Sequence, residues 1–165
     1  MTDLRLPDLG HHVLEVGCGY RARAAKGART YVGLDVYQEY LARAHRRYPS
    51  RIFCLTDWTG MEVFEDNTFD VVFAIDFIEH LGRREGKAFL KEAARVAPRT
   101  AIFTPLGPMK QAPNDGEPES QRHRSAWTPK DFKGWKIKVL KDFHRQLADG
   151  TKLERPISAF WAVRS

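Results

Sequence analysis

The sequence predicts an α/β fold in which a mostly parallel sheet ends in an antiparallel hairpin. Five short apolar runs are joined by crossovers, three of which have helical character. A glycine-rich turn, Gly17-Cys18-Gly19, follows the first run, and a lone carboxylate, Asp35, closes the second. Two further strands then follow one another with no helix between them, which marks a hairpin at a sheet edge.

His12–Val16 and Tyr31–Asp35 are runs of the kind buried on both faces of a parallel sheet. About fourteen residues separate them, room for a crossover helix of little more than two turns. Tyr37, Tyr40, Leu41, Ala44 and Tyr48 recur at helical spacing until Pro49 ends the segment. Ile52–Thr56 is a third strand, and Phe69–Asp76, the most hydrophobic run, is a fourth and central one. Arg83–Ala97 is a helix with Phe89, Leu90, Ala93, Val96 and Ala97 on its apolar face and Pro98 at its stop. Thr100–Thr104 is a fifth strand, cut by Pro105. Gly107–Ser125 has no apolar period, and so long a loop in a compact domain is usually functional or disordered. Thr128–Phe132 reads as one helical turn, capped by Thr128 with Pro129 at its first position. Trp135–Phe143 alternates as a half-exposed strand, Asp149–Gly150 turns the chain, and Ile157–Val163 is the last strand.

The 165 residues read as one domain, 1–165, long enough to bury about two-thirds of the unfolded surface. A content of 42% apolar and 29% charged residues belongs to a globular chain rather than a disordered one. No apolar run has the length of a membrane span and no signal-peptide pattern opens the chain, so a cytoplasmic location is the default expectation. Cys18 and Cys54 lack metal-ligand spacing and read as buried small residues, and no metal site is expected. The net charge of +6 gathers in the first crossover (Arg21, Arg23, Lys26, Arg29) and the second (Arg43, Arg46, Arg47). Such a surface attracts phosphate, nucleic acid or a nucleotide-linked substrate, although solvated helix faces explain most basic patches.

Turn and acid together describe a nucleoside pocket. Gly17 and Gly19 let the backbone approach a ligand with no Cβ in the way. An acid about 20 positions on takes both ribose hydroxyls, and Asp35 ends its strand 18 positions after Gly17. The plain alternative is a glycine turn beside a surface aspartate.

Four segments carry a family likeness: Glu15-Val-Gly17-Cys-Gly19, Asp35, Thr56-Asp57-Trp58, and Asp70 through Asp76-Phe-Ile-Glu79-His80-Leu81. Through them, from His12 to Ser165, the chain resembles a class I S-adenosylmethionine (SAM)-dependent methyltransferase of the compact bacterial small-molecule or cell-surface-glycan type. The resemblance implies a Rossmann-like sandwich with a mostly parallel seven-stranded sheet and a C-terminal antiparallel hairpin. It implies S-adenosyl-L-methionine as cofactor, held by Glu15, Gly17, Cys18, Gly19, Asp35, Val36, Thr56, Asp57, Trp58 and Asp76. One position departs from the family: Arg21 stands where a third glycine usually falls. The cation there either narrows the methionine end of the pocket or swings out over the first helix.

SAM presents an adenosine, a cationic sulfonium and an amino-acid end. Acids beside the ribose and the adenine satisfy donors that are costly to bury unpaired. The turn's N–H groups and the start of the first helix receive the carboxylate. Glu15, inside an apolar strand, orients the turn or the ammonium group. Methyl transfer is an in-line displacement in which positioning supplies much of the acceleration, and a base is needed only where the acceptor loses a proton. Asp76, Glu79, His80 and His123 are candidate bases, and Asp76, His80 and His123 form the expected catalytic set. His80 either supports the pocket under the cofactor or moves a proton. His123 lies in Gln121-Arg-His-Arg-Ser-Ala-Trp127, similar to a segment that caps the acceptor side in polysaccharide-type methyltransferases. The alternative for this stretch is a solvated basic loop, with Trp127 anchoring it on the body of the protein.

Absent motifs narrow the acceptor. No Asn/Asp-Pro-Pro-Tyr or Pro-Cys pair follows the fourth strand, and the paired-glutamate loop of arginine methyltransferases is missing. What remains is transfer to a small-molecule or carbohydrate-like acceptor, with residues 107–127 as the acceptor-side loop. Basic charge keeps an RNA methyltransferase or RNA-binding member of the fold as the alternative. A NAD-dependent oxidoreductase lacks its Tyr-x-x-x-Lys pair and ranks last, beside a catalytically silent SAM-binding subunit. Oligomeric state is open at this point, a homodimer included.

Overall fold

Every residue of Val71–Ile75 is buried, and this run is the central strand of the sheet. The computed structural model describes residues 10–111, 119–147 and 150–165. Its strands are β1 (His12–Val16), β2 (Thr30–Asp35), β3 (Ile52–Leu55), β4 (Val71–Ile75), β5 (Arg99–Pro105), β6 (Lys136–Gln146) and β7 (Lys152–Arg164). Two longer helices, α1 (Gln38–Arg47) and α2 (Arg83–Val96), accompany them. The strands form one sheet in the order β3-β2-β1-β4-β5-β7-β6, and β7 alone runs against its neighbours. The mostly parallel seven-stranded sheet and its terminal hairpin are those the sequence predicts.

Alternation along the strands divides the core between the two faces of the sheet. Leu14, Val16, Val72, Ala74 and Ile102 pack on one face with Phe89, Ala93 and Val96 of α2 and with Trp127. Val13, Val71, Phe73, Ala101 and Phe103 pack on the other with Leu41 and Ala44 of α1 and with Ala22, Ala24, Ala25 and Ala28. Basic residues in the last turn of α1 (His45, Arg46, Arg47) oppose the negative end of its dipole. Glu85 accepts the Gly82 N–H at 2.7 Å to cap α2. Among the described residues no helix is long and apolar enough to cross a membrane.

The first crossover differs from expectation. Its alanine-rich stretch forms turns, not a helix, with Ala22 at φ +42°. Glu15, buried in β1, accepts the N–H groups of Arg23 and Ala24 at 3.2 and 3.0 Å. Those donors are held on a side chain, so the segment spends them on tertiary contacts and local helix propensity loses. Two of the three expected helical crossovers are therefore helices, and the helix start expected to receive a carboxylate is absent with the third. Residues 1–9, residues 112–118 of the long loop and Asp149 of the expected turn lie outside the described residues.

Candidate active site

Strand order reverses between β1 and β4, the point at which an open parallel sheet leaves a crevice at its carboxyl ends. A cavity of about 500 Å³ occupies it. Gly17, Cys18 and Gly19 line it from the end of β1, and Asp35 and Val36 from the end of β2. Thr56, Asp57 and Trp58 join from the end of β3, and Asp76 from the end of β4. Of the ten residues expected around a cofactor, Glu15 alone is not in the lining. Asp76 and His80 of the expected catalytic set line the cavity; His123 does not, but its ring centroid is 4.8 Å from that of His80.

The glycine turn is shaped by what lies beneath it. Gly17 sits at φ +67°, and a Cβ there would fall 2.4 Å from the Phe77 ring. The next glycine donates its N–H to Asp35: Gly19 N is 2.8 Å from Oδ2, while Tyr37 N is 3.0 Å from Oδ1. Asp35 thus ties the turn to the entry of α1, and burial raises its pKa against the pull of these N–H donors. Asp57 is engaged locally, accepting from the N–H and hydroxyl of Thr59. Arg21 takes the outward course of the two expected: it is exposed, with Nε 3.1 Å from the Tyr20 hydroxyl, and still borders the cavity.

Glu15 organises the turn from behind. Besides two backbone N–H groups it accepts the Tyr31 hydroxyl at 2.7 Å. Burial raises its pKa to about 7, outweighing all three donors. A folded-state value above the unfolded one means stability that is present below pH 4.5 and is lost as pH rises through 7. Glu15→Gln removes this titration. The stability gap between parent and variant is therefore expected to shrink by about 3 kcal/mol between pH 4.5 and pH 8 in urea unfolding. A gap that stays constant would show that burial does not raise this pKa.

Cys18 is 4% exposed, and burial, with the Glu15 and Asp35 carboxylates, pushes its thiol well above the ordinary range. Iodoacetamide at pH 8 is expected to leave Cys18 unmodified in the native protein and to label it in urea, as read by peptide mass spectrometry.

Asp76 holds a left-handed φ of +51° at the end of the central strand, strain of a kind that gathers at functional sites. Its Oδ2 is 3.5 Å from Arg23 Nη2, and its Oδ1 is buried without a hydrogen-bond partner among the described residues. Glu79, one turn on, is 2% exposed; burial, with Asp76 adding to it, raises its pKa to about 8. Burial lowers His80 to about 4 and moves His123 and His144 in the same direction.

The loop after β5 folds back over this end. Arg124 and Ser125 donate their N–H groups to the Glu79 carbonyl at 2.8 and 3.0 Å. Trp127, 1% exposed, donates its indole N–H to the Ile78 carbonyl at 3.2 Å and to Ser125 Oγ at 2.8 Å. Arg83 stacks on the Trp127 ring at 4.1 Å and pairs with Asp131. Ser120, Gln121 and Arg124 consequently join the cavity wall.

Sequence reading passed over several residues of the site. Arg23 reads in the sequence only as charge, although its spacing from the glycine turn is local information. Tyr20 carries no motif, Tyr40 reads only as part of a helical period, and His144, on β6, reaches the field of Asp76 only through the sheet order.

A family model described as a methyltransferase domain matches residues 14–103. In structure the chain is similar to magnesium protoporphyrin IX methyltransferase from Synechocystis PCC 6803, crystallised with bound SAM. The identity is 17% and the TM-score 0.60, over 94% of this chain and 71% of that one. A SAM-dependent methyltransferase from Archaeoglobus fulgidus gives 14% and 0.64, over 94% and 86%. One from Mesorhizobium loti gives 16% and 0.63, over 97% and 94%. No curated protein matches the sequence.

Proposed function

Because this chain belongs to the methyltransferase domain family and has the class I sheet, we propose that it moves a methyl group from SAM to a small-molecule or carbohydrate-like acceptor. The main support is convergence: nine residues from four successive strand ends line one cavity. Two features fit SAM in particular. Gly17 and Gly19 give a floor without side chains, and Asp76 Oδ1 is a buried acceptor with no donor among the described residues, suited to an ammonium group.

SAM supplies an activated methyl group on a cationic sulfonium. Asp35 holds the ribose hydroxyls on the lone pairs left by Gly19 and Tyr37, and Trp58 and Asp57 bracket the adenine. Asp76 receives the amino end on its buried Oδ1. Residues 119–127 close the acceptor side, held down on the Glu79 carbonyl, and exclude water from the reacting centre. His80 lines the cavity there with the His123 ring against it, and burial disfavours the charged form of both.

Calorimetric titration with SAM, S-adenosylhomocysteine and NAD in parallel tests this. Micromolar binding of the two adenosyl ligands, with none of NAD, is the expected result. Binding of NAD alone would overturn the proposal, and so would silence toward all three.

A further inference from the structure

Two neighbouring carboxylates, the half-buried Asp76 and the buried Glu79, each keep one buried oxygen that no donor among the described residues satisfies, Asp76 Oδ1 and Glu79 Oε1. The other Glu79 oxygen accepts from Thr104 Oγ1 at 2.9 Å, so Oε1 is the free one. A buried carboxylate in this condition either takes up a proton or finds a cation. Two imidazoles stand beside it. A Glu79 carboxylate oxygen and one ring nitrogen each from His80 and His123 lie within 4.8 Å of one another.

The histidines are held in a telling way. His123 Nδ1 is 2.8 Å from the Met109 carbonyl oxygen, and His80 Nδ1 is 3.3 Å from that of Arg122. The carbonyls of Gln121 and Asp76 also face His80. Since a carbonyl only accepts, His123 carries its proton on Nδ1 and keeps the Nε2 lone pair free. A backbone carbonyl behind the ring is the usual way a metal-bound imidazole is oriented. Arg23 opposes a positive charge here, but it is already paired with Asp76 Oδ2.

We propose that Glu79, His80 and His123 bind one divalent transition-metal ion at the acceptor side of the cavity, and that an acceptor hydroxyl completes its coordination. Two imidazoles and one carboxylate suit Zn²⁺ or Mn²⁺ and leave positions open for such an oxygen. Glu79 and His80 come from the turn after β4, and His123 comes from the loop that Trp127 pins, so the ion also fastens that loop. The role in transfer rests on the methyltransferase reading; the binding itself does not. On the ion, the acceptor O–H loses its proton to solvent more readily. Its oxygen then bonds to the methyl carbon while the carbon–sulfur bond breaks. Both electrons stay on sulfur, giving a methyl ether and S-adenosylhomocysteine.

The test uses the full-length chain without a histidine tag, stripped with EDTA and titrated calorimetrically with MnCl₂ and with ZnCl₂. One ion per chain at micromolar affinity is expected, weakened at least about 10-fold by His123→Ala and by Glu79→Gln. No binding, or equal affinity in parent and variants, overturns the proposal. Should the alanine variant fail to fold by its melting curve, His123→Phe keeps a ring against His80 and removes the ligand nitrogen. SAM titrated in parallel separates the two readings. SAM binding without the ion removes the cation and leaves the methyltransferase, while ion binding without SAM does the reverse.

Discussion

Trp127→Ala is expected to destabilise the fold by about 3–5 kcal/mol, the range for truncating a large buried aromatic side chain. For a chain of this size that is a fall in melting temperature on the order of 10 °C. Trp127 is the largest fully buried side chain among the described residues, packed among the α2-side core residues with its ring tilted against Phe132. Gly86 of α2 is shaped to it, since a Cβ at that glycine would lie 2.4 Å from Trp127 Cζ2. Trp127→Phe keeps most of the ring and forfeits the indole N–H bonds to Ile78 and Ser125, so its cost should be about 1–2 kcal/mol. Urea and thermal unfolding of both variants would check the order. Equal losses would mean that the hydrogen bonds, not the packing, anchor the loop. The alanine variant should also bind acceptor more weakly, because the segment 119–127 loses its pin on the body of the protein.

Asp35→Ala is expected to weaken SAM binding by about 1–3 kcal/mol, a loss on the order of 10- to 100-fold, through the ribose contacts. The same substitution strips acceptors from the N–H groups of Gly19 and Tyr37, so some of the loss comes through the turn. Asp35→Asn retains one acceptor oxygen and should fall between parent and alanine. Adenosine, which carries the ribose but not the methionine, should lose affinity by a similar factor. Calorimetry with SAM and adenosine reads both. Unchanged SAM affinity in Asp35→Ala would mean that the ribose lies elsewhere.

Elements with a strong local pattern are legible in the sequence. The period of Tyr37, Leu41 and Ala44, the stop at Pro49 and the apolar face ending at Pro98 each mark a helix within a few residues. Strand ends are legible too, and with them the residues that line the cavity, because a strand that enters a parallel sheet must deliver its carboxyl end to the same edge. The first crossover fails for a nonlocal reason. Ala22, Ala24 and Ala25 favour a helix, but Glu15, fixed in β1, takes the N–H groups a helix would need.

By itself, then, the sequence determined the α/β class, the terminal hairpin, the glycine turn with its acid, and the four strand ends that meet at one crevice. These follow from periodicity and turn chemistry, which act over a few neighbouring residues. Only the tertiary structure decided that Arg23 pairs with Asp76, that Glu15 holds a turn in place of a helix, and that His123 comes to rest against His80 and Glu79. Those partners are far apart in the chain. Which ones meet is set by strand order and by a tryptophan that docks the loop, so no local pattern encodes it.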